Sequence, residues 1–434
     1  MEQLRKPLET MTLRLFLAAR DMTSKAGEQG NVVICPFAVT SAVTMLYYAS
    51  EGTSANRQME NILRFEDMFD GRAEAKMVLM AFRCATKILT KIKEMESRHG
   101  AADNKARDFH MIIHNKIFVQ QDIDLQADFL SSIERNLMIN VERLQFKDDV
   151  ELGKAEIEKW LRQKLANRFS AHIPHNLIDP TYTGPRAIIA SAAHFRGSWE
   201  TPFNPEASYR GSFKLDSGKN KDVWFMNMKN TFPYVEDETF GIKMIEIPYY
   251  ANGASLVLTI PSKRSTPLAE MLQKVSNSVF TSLHMRRRMK LVDLTLPRFF
   301  IHNTFDLRTL LNHAGFKEIL HDTTELLKFS SEKNLRISEG LHKCAIQVDE
   351  DGTFQSDIDY TQQVDDSSPA PPSKQPNEPL PKKITASLPF FSKGKPQTAT
   401  GPQAEEFKAD RPFLVAVRHN KAALFVFSGC VMSP

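Results

Sequence analysis

The sequence predicts an α+β protein, with helices gathered in its first half and strands in its second. Three observations carry that expectation. Apolar residues recur at helical spacing through much of residues 11–169. From Ala187 onward, runs of β-branched and aromatic residues punctuated by proline replace that periodicity. Strand and helix patterns do not alternate in the βαβ manner that a parallel α/β sheet demands.

Residues 11–25 place Leu13, Phe16, Leu17 and Met22 at roughly helical spacing and predict a first amphipathic helix. A second is expected after Pro36, running through VTSAVTMLYYAS to a stop near Gly52, and RQMENILRF makes a third. EAKMVLMAFRCATKILTKIKEMES is a long helical pattern, KARDFHMIIHNKIFVQQ is rich in strand formers, and residues 151–169 again predict a helix. The strands follow as AIIASAAHF, VWFMNM, GIKMIEIPY, ASLVLTIP, MKLVDLTLPRFFI, KCAIQV, FLVAVRH and AALFVFSG. Pro248, Pro261 and Pro297 are expected to end ladders, because proline has no N–H to donate.

One compositional break interrupts this order. Residues 362–403 hold prolines at 369, 371, 372, 376, 379, 381, 389, 396 and 402, and predict no packed structure of their own. Strong strand signals resume in FKADRPFLVAVRHNKAALFVFSG. The break is therefore a long loop inserted between strands of one domain.

Composition excludes several function classes. A net charge of +4 is too small to call for nucleic acid or an anionic membrane as partner. The first twenty residues carry charges throughout, no 18-residue apolar run exists, and no N-x-[ST] sequon occurs. The expectation is a leaderless, cytoplasmic chain, with non-classical secretion left open. Four widely separated cysteines, Cys35, Cys84, Cys344 and Cys430, are expected to be free thiols in a reducing compartment. No G-x-S-x-G, H-E-x-x-H, P-loop or G-x-G-x-x-G occurs, so no enzyme is expected. His110 and His114 of HMIIH lie about 13 Å apart on a strand, too far for one metal. No metal or cofactor is expected.

The motifs that remain are NVVICPFAVTSAVTML (31–46), EGTSANRQMENIL (51–63), AEIEKWL (155–161), ASAAHFRGSWETPF (190–203), IEIPYY (245–250), LTLPRFFIHNTFDLRTLLNHAGF (294–316), LHKCAIQVDEDGT (341–353), FKADRPF (407–413) and LFVFSGCVMSP (424–434). In these stretches, and from about residue 12 to the end, the chain resembles the serpin family. The resemblance implies a single domain over 1–434, of three β-sheets and about nine helices, whose residues 354–406 form an extended reactive-centre loop. It implies a monomer acting as a suicide inhibitor of a serine or cysteine protease. Once cut, the loop's first part inserts as a strand into the central sheet and carries the acylated protease with it.

By the same resemblance Glu350, Asp351, Gly352 and Thr353 are the hinge, continued here by Phe354, Gln355, Ser356, Asp357, Ile358 and Asp359. Inhibitory members have small residues in that run. Strand periodicity puts Gln355, Asp357 and Asp359 on the face of Thr353, which the family buries. Burying each aspartate as a neutral acid at pH 7 costs about 4 kcal/mol. Against this stand roughly ten new backbone hydrogen bonds at about 1 kcal/mol net each. The family's hydrogen-bonded shutter beneath this strand, two Ser, one Asn and one His, corresponds to Cys35, Ala38, Ser191 and His342.

Counting from Thr353 gives Asp366–Ser367 as the nominal scissile bond, which suits a protease that cuts after aspartate. Thr353 and Phe407 stand 54 positions apart, far more than the usual serpin loop. The competing reading is a non-inhibitory serpin whose loop is a display segment for a protein partner. Pro369, Pro372 and Lys374 fit a P-x-x-P-x-K polyproline pattern. Arg83, Lys87 and Lys91, at i, i+4 and i+8 of the long helix, make a candidate polyanion stripe.

Overall fold

The computed structural model describes residues 2–25, 28–68, 74–90, 109–146, 149–165, 169–179, 181–182, 184, 186–321, 326–332, 335–353 and 403–434. Nine α-helices occur among them: α1 (Glu2–Thr23), α2 (Pro36–Ala49), α3 (Ser54–Leu63), α4 (Ala75–Thr90), α5 (Ala127–Leu137), α6 (Val150–Lys164), α7 (Leu268–Gln273), α8 (Asn277–Arg286) and α9 (Leu307–His313). The strands are β1 (Ser24–Lys25), β2 (Glu28–Gln29), β3 (Val32–Ile34), β4 (Phe109–Gln120), β5 (Asn140–Leu144), β6 (Arg186–Ser198), β7 (Tyr209–Lys214), β8 (Asn220–Asp237) and β9 (Ile242–Pro248). They continue with β10 (Ala254–Pro261), β11 (Arg288–Pro297), β12 (Phe299–Asp306), β13 (Arg336–Val348), β14 (Gly352–Thr353), β15 (Glu405–Lys408), β16 (Phe413–His419) and β17 (Leu424–Val431).

Three sheets result. A six-stranded sheet has the order β12-β13-β14-β6-β4-β5, a nine-stranded one runs β15-β11-β8-β9-β10-β16-β17-β3 with β7 on β8, and β1-β2 is a small ribbon. The large size of the second sheet comes from β8, whose 18 residues pair with β7 and β11 along most of their length and with β9 at their end.

The stretch MKLVDLTLPRFFI is two strands, not one. Pro297 closes β11 in the nine-stranded sheet, and one residue later β12 begins in the six-stranded sheet. Arg298, at that corner, becomes important below. Pro248 and Pro261 likewise end β9 and β10.

The six-stranded sheet is a filling between two apolar layers. On one face lies α2, apolar all round, started by Pro36 in its first turn and buried at all fourteen positions. Across the other face runs α6, which packs Ile157, Trp160 and Leu161 on Phe118, Ile188, Ala190 and Ala192. The Asp149 side chain accepts from the Leu152 N–H at 3.0 Å and caps α6. Asp149→Ala is expected to lower stability by about 1 kcal/mol, read as a shift of the urea midpoint at unchanged slope.

Helix α1 begins nine residues before the expected start. Pro7 lies within it, and the stripe that seals it to the core is Leu4, Leu8, Met11 and Leu15, whereas Leu17 is exposed. Packing on the nine-stranded sheet outweighs the single backbone bond that Pro7 removes. The expected helix over 151–169 is α6 and ends at Lys164.

Candidate functional site

The hinge is built where β13 runs out. After Val348 the chain turns through Asp349–Asp351, and Gly352 and Thr353 then enter the sheet between β13 and β6 as β14. Thr353 lies opposite Val348 on one side and Gly197 on the other, and Gly352 lies opposite Ser198. Below this wedge β6 and β13 are direct parallel neighbours, from Arg336 opposite Arg186 to Ala345 opposite His194. The result is a seam held open at its top by two residues.

Each hinge residue has a named restraint. The Asp349 carboxylate accepts from the N–H groups of Asp351 (3.1 Å) and Gly352 (3.2 Å), making the turn. The Glu350 carboxylate accepts from Arg298 Nε (2.8 Å) and Nη2 (2.5 Å) and from the Ser208 hydroxyl. Its carbonyl accepts from Phe203 N–H at 2.9 Å, and the Asp351 carbonyl from Trp199 N–H at 3.0 Å. Trp199 also donates its indole N–H to the Asp349 carbonyl (2.9 Å) and stacks on Tyr249, ring centres 4.6 Å apart. The Tyr249 hydroxyl meets Thr353 Oγ1 at 2.7 Å, fully buried. Burial pushes that phenol far up its scale, so it remains a hydroxyl at ordinary pH.

Gly352 is required by geometry. Its φ is +152°, and a Cβ there would stand 2.0 Å from the Gly197 carbonyl oxygen. Thr353 is buried, as the family resemblance implied.

Under the middle of the seam, on the α2 side, sits the shutter. The Cys35 N–H donates to His342 Nε2 at 3.1 Å, so Nε2 is the acceptor and Nδ1 carries the proton. Nδ1 then donates across the seam to Ser191 Oγ at 2.9 Å. Burial alone holds the His342 imidazole down at about 3, and pushes the Cys35 thiol up to about 12. Ala38 contributes its carbonyl, which accepts from Asn115 Nδ2 at 2.9 Å.

Asn115 was missed by the sequence reading. Its signal was there: alternation along FHMIIHNKIFV points Phe109, Met111, Ile113, Asn115 and Ile117 inward, and Asn115 is the one polar residue in that row. Asn115 and Ser191 thus join His342 in one buried cluster, with Cys35 and Ala38 beside them.

At the foot of the seam Arg186 and Glu339 form a buried pair (2.7 Å), and Arg186 also donates to the carbonyls of Asp179 and Tyr182. The closed part of the seam runs along β6 from below Gly197, the partner of Thr353, to Arg186 at its foot. The chain re-enters at β15, whose Glu405 pairs with Val292 of β11 in the other large sheet.

Phe354, Gln355, Ser356, Asp357, Ile358 and Asp359 lie outside the described residues, as do Asp366, Ser367 and Lys91. Arg83 and Lys87 lie on α4, half-buried and exposed respectively. The hinge and the shutter are joined by one strand, β13; the α4 basic pair belongs to a separate face.

A model of the serpin family, described as serpin (serine protease inhibitor), matches residues 9–434. The chain belongs to the serpin family. Among its relatives, the leukocyte elastase inhibitor of Sus scrofa is 22% identical over 439 residues, covering all of both chains. Serpin B3 of Homo sapiens is 23% identical, covering 94% of this chain and 95% of its own. Of solved structures, maspin superposes with a TM-score of 0.76 at 20% identity over the whole of both chains. Human thyroxine-binding globulin in complex with thyroxine gives 0.76 at 17% identity, covering 100% of this chain and 99% of its own. At these identities the superpositions establish the serpin fold, and that fold also serves a globulin that binds thyroxine.

Proposed function

We propose that this serpin is a protease-directed suicide substrate whose loop, once cut, inserts as a strand between β6 and β13. The observation that carries the reading is β14 itself. Two residues of the future strand are already seated in the sheet, clamped by Glu350–Arg298 and by Thr353–Tyr249. Zipping the rest needs no new nucleus, since each further residue adds ladder bonds to a started strand. The β6 side of the seam supports passage of side chains, with Ala190, Ser191, Ala192, Ala193 and Gly197 all small. The leukocyte elastase inhibitor relatives point to the same class of partner.

The seam length bounds the cut. Continued in the register of Thr353 opposite Gly197, an inserted strand reaches Arg186 at about position 364. Any cleavage after that leaves enough chain to fill the seam, and the Asp366–Ser367 bond meets that condition. We place this activity in a reducing compartment such as the cytoplasm, because all four cysteines are free. The test is incubation with a panel of serine and cysteine proteases, including ones that cut after aspartate. An SDS-stable adduct joining the protease to residues 1–366, or to a longer N-terminal piece, is expected. Clean loop cleavage by every protease, with no adduct, would overturn the reading and leave the loop as a display segment.

A further inference from the structure

The two aspartates of the hinge run look like obstacles to insertion. The register in the seam says where each must go. With Thr353 between Val348 and Gly197, position 357 falls between Cys344 and Ala193, and position 359 between His342 and Ser191. His342 and Ser191 now face each other directly, and Nδ1–H of the imidazole already points across the seam. A strand entering there separates the two and leaves one donor on one wall and a hydroxyl on the other.

Resting on the insertion reading above, we propose that His342 and Ser191 form a receptor for Asp359 in its protonated form, so that strand insertion takes up a proton from solvent. The hydrogen bonds close only in that state. The carbonyl oxygen of the acid accepts from His342 Nδ1–H, and its hydroxyl donates to Ser191 Oγ. The proton cannot go to the imidazole without loss, because Nε2 is occupied by the Cys35 N–H. An ionised Asp359 would be a buried carboxylate with no cation in reach.

Among the described residues, the surroundings of His342 contain no charge that could substitute. β6 offers Ser191, β4 Asn115, and β12 Phe305 and Asn303. The segment before α2 gives the Cys35 thiol, β13 the Cys344 thiol, which donates to the Val33 carbonyl, and α2 has no Asp, Glu, Lys, Arg or His. Asp357, beside Cys344, needs a second proton of its own. On the opposite face the same register sends Ile358 between Ala192 and Lys343, and Tyr360 between Ala190 and Leu341, adding apolar surface beneath α6.

His342 is thus a positioning residue, and the telling variant is Asp359→Asn, which changes no residue of the described sheet. An amide has the hydrogen-bonding pattern of the protonated acid at every pH. The full chain is nicked in its loop at Lys374, Lys382 or Lys383 with a lysine-specific protease, the site is verified by mass, and insertion is followed from pH 5 to 8 as the rise in thermal midpoint.

The wild type is expected to insert readily at pH 5 and poorly at pH 8. Its insertion constant should fall about a hundred-fold per pH unit for two protons, and about ten-fold per unit in Asp359→Asn. At pH 7 the variant should insert about a thousand-fold more favourably, three pH units above the carboxyl's ordinary value. Equal rises for both proteins at every pH would overturn the proton receptor while leaving insertion intact. No rise in either protein at any pH would overturn insertion itself.

Discussion

Between pH 8 and 5 the uncut protein is expected to lose about 4 kcal/mol of stability through two buried imidazoles. His342 and His419 are fully buried. Burial holds the first at about 3 and the second at about 4. In the unfolded chain both bind protons near pH 6.5. Below that value the unfolded state carries more protons, so stability is complete above pH 6.5 and falls as the pH drops toward the folded values. Each imidazole contributes about 1.4 kcal/mol per pH unit.

His114, also held down at about 4 by burial and by the Lys164 charge, adds a smaller share because it is partly exposed. The check is the first urea transition at pH 8.0, 6.5 and 5.0. A midpoint unchanged across that range would show that the imidazoles are solvated. This acid weakness belongs to the uncut state, whereas the proton taken up by Asp359 belongs to the inserted one. Asp359→Asn should therefore leave the urea series alone while it changes the nicked form.

The elements with local signals were legible in the sequence. Helix α2 could be read from Pro36 and the run VTSAVTMLYYAS after it, and the hinge from four consecutive residues. The buried side of Thr353 followed from the family resemblance. What stayed hidden depends on partners far away in the chain. Arg298 reads as one residue between strand signals, and its reach to Glu350, 52 residues on, exists only because Pro297 sends β11 and β12 into different sheets. Arg186 and Glu339 are 153 residues apart and meet through a parallel register that no local pattern encodes. The expectation for helix α1 rested on Leu13, Phe16, Leu17 and Met22, whereas the stripe that buries it starts earlier, at Leu4, Leu8 and Met11. Asn115 had a signal in the alternation, but without a register nothing tied it to Ala38.

Gly352→Ala is expected to abolish adduct formation, turning any inhibitory encounter into simple cleavage. The added methyl would meet the Gly197 carbonyl oxygen at 2.0 Å and the Ser198 Cα at 2.9 Å, both backbone atoms of a central strand. No rotamer relieves that contact, and φ of +152° is itself unfavourable for alanine. The cheapest escape is for β14 to leave the seam. That forfeits the Thr353–Tyr249 hydrogen bond, the Asp349 N–H bond to Gly352 and the ladder to both neighbours, about 2–4 kcal/mol in all.

The loss is local, since Glu350 keeps Arg298 and the core is untouched, and it should show in the uncut protein as a urea midpoint lowered by about 2–4 kcal/mol of stability at unchanged slope. Insertion loses more, because the strand must now start from a closed pair of parallel strands. Amide exchange at Thr353 and adduct yield, measured on the same variant, decide the matter. Fast exchange with no adduct is the expected result, and a wild-type yield with fast exchange would show that insertion does not depend on the two seated residues.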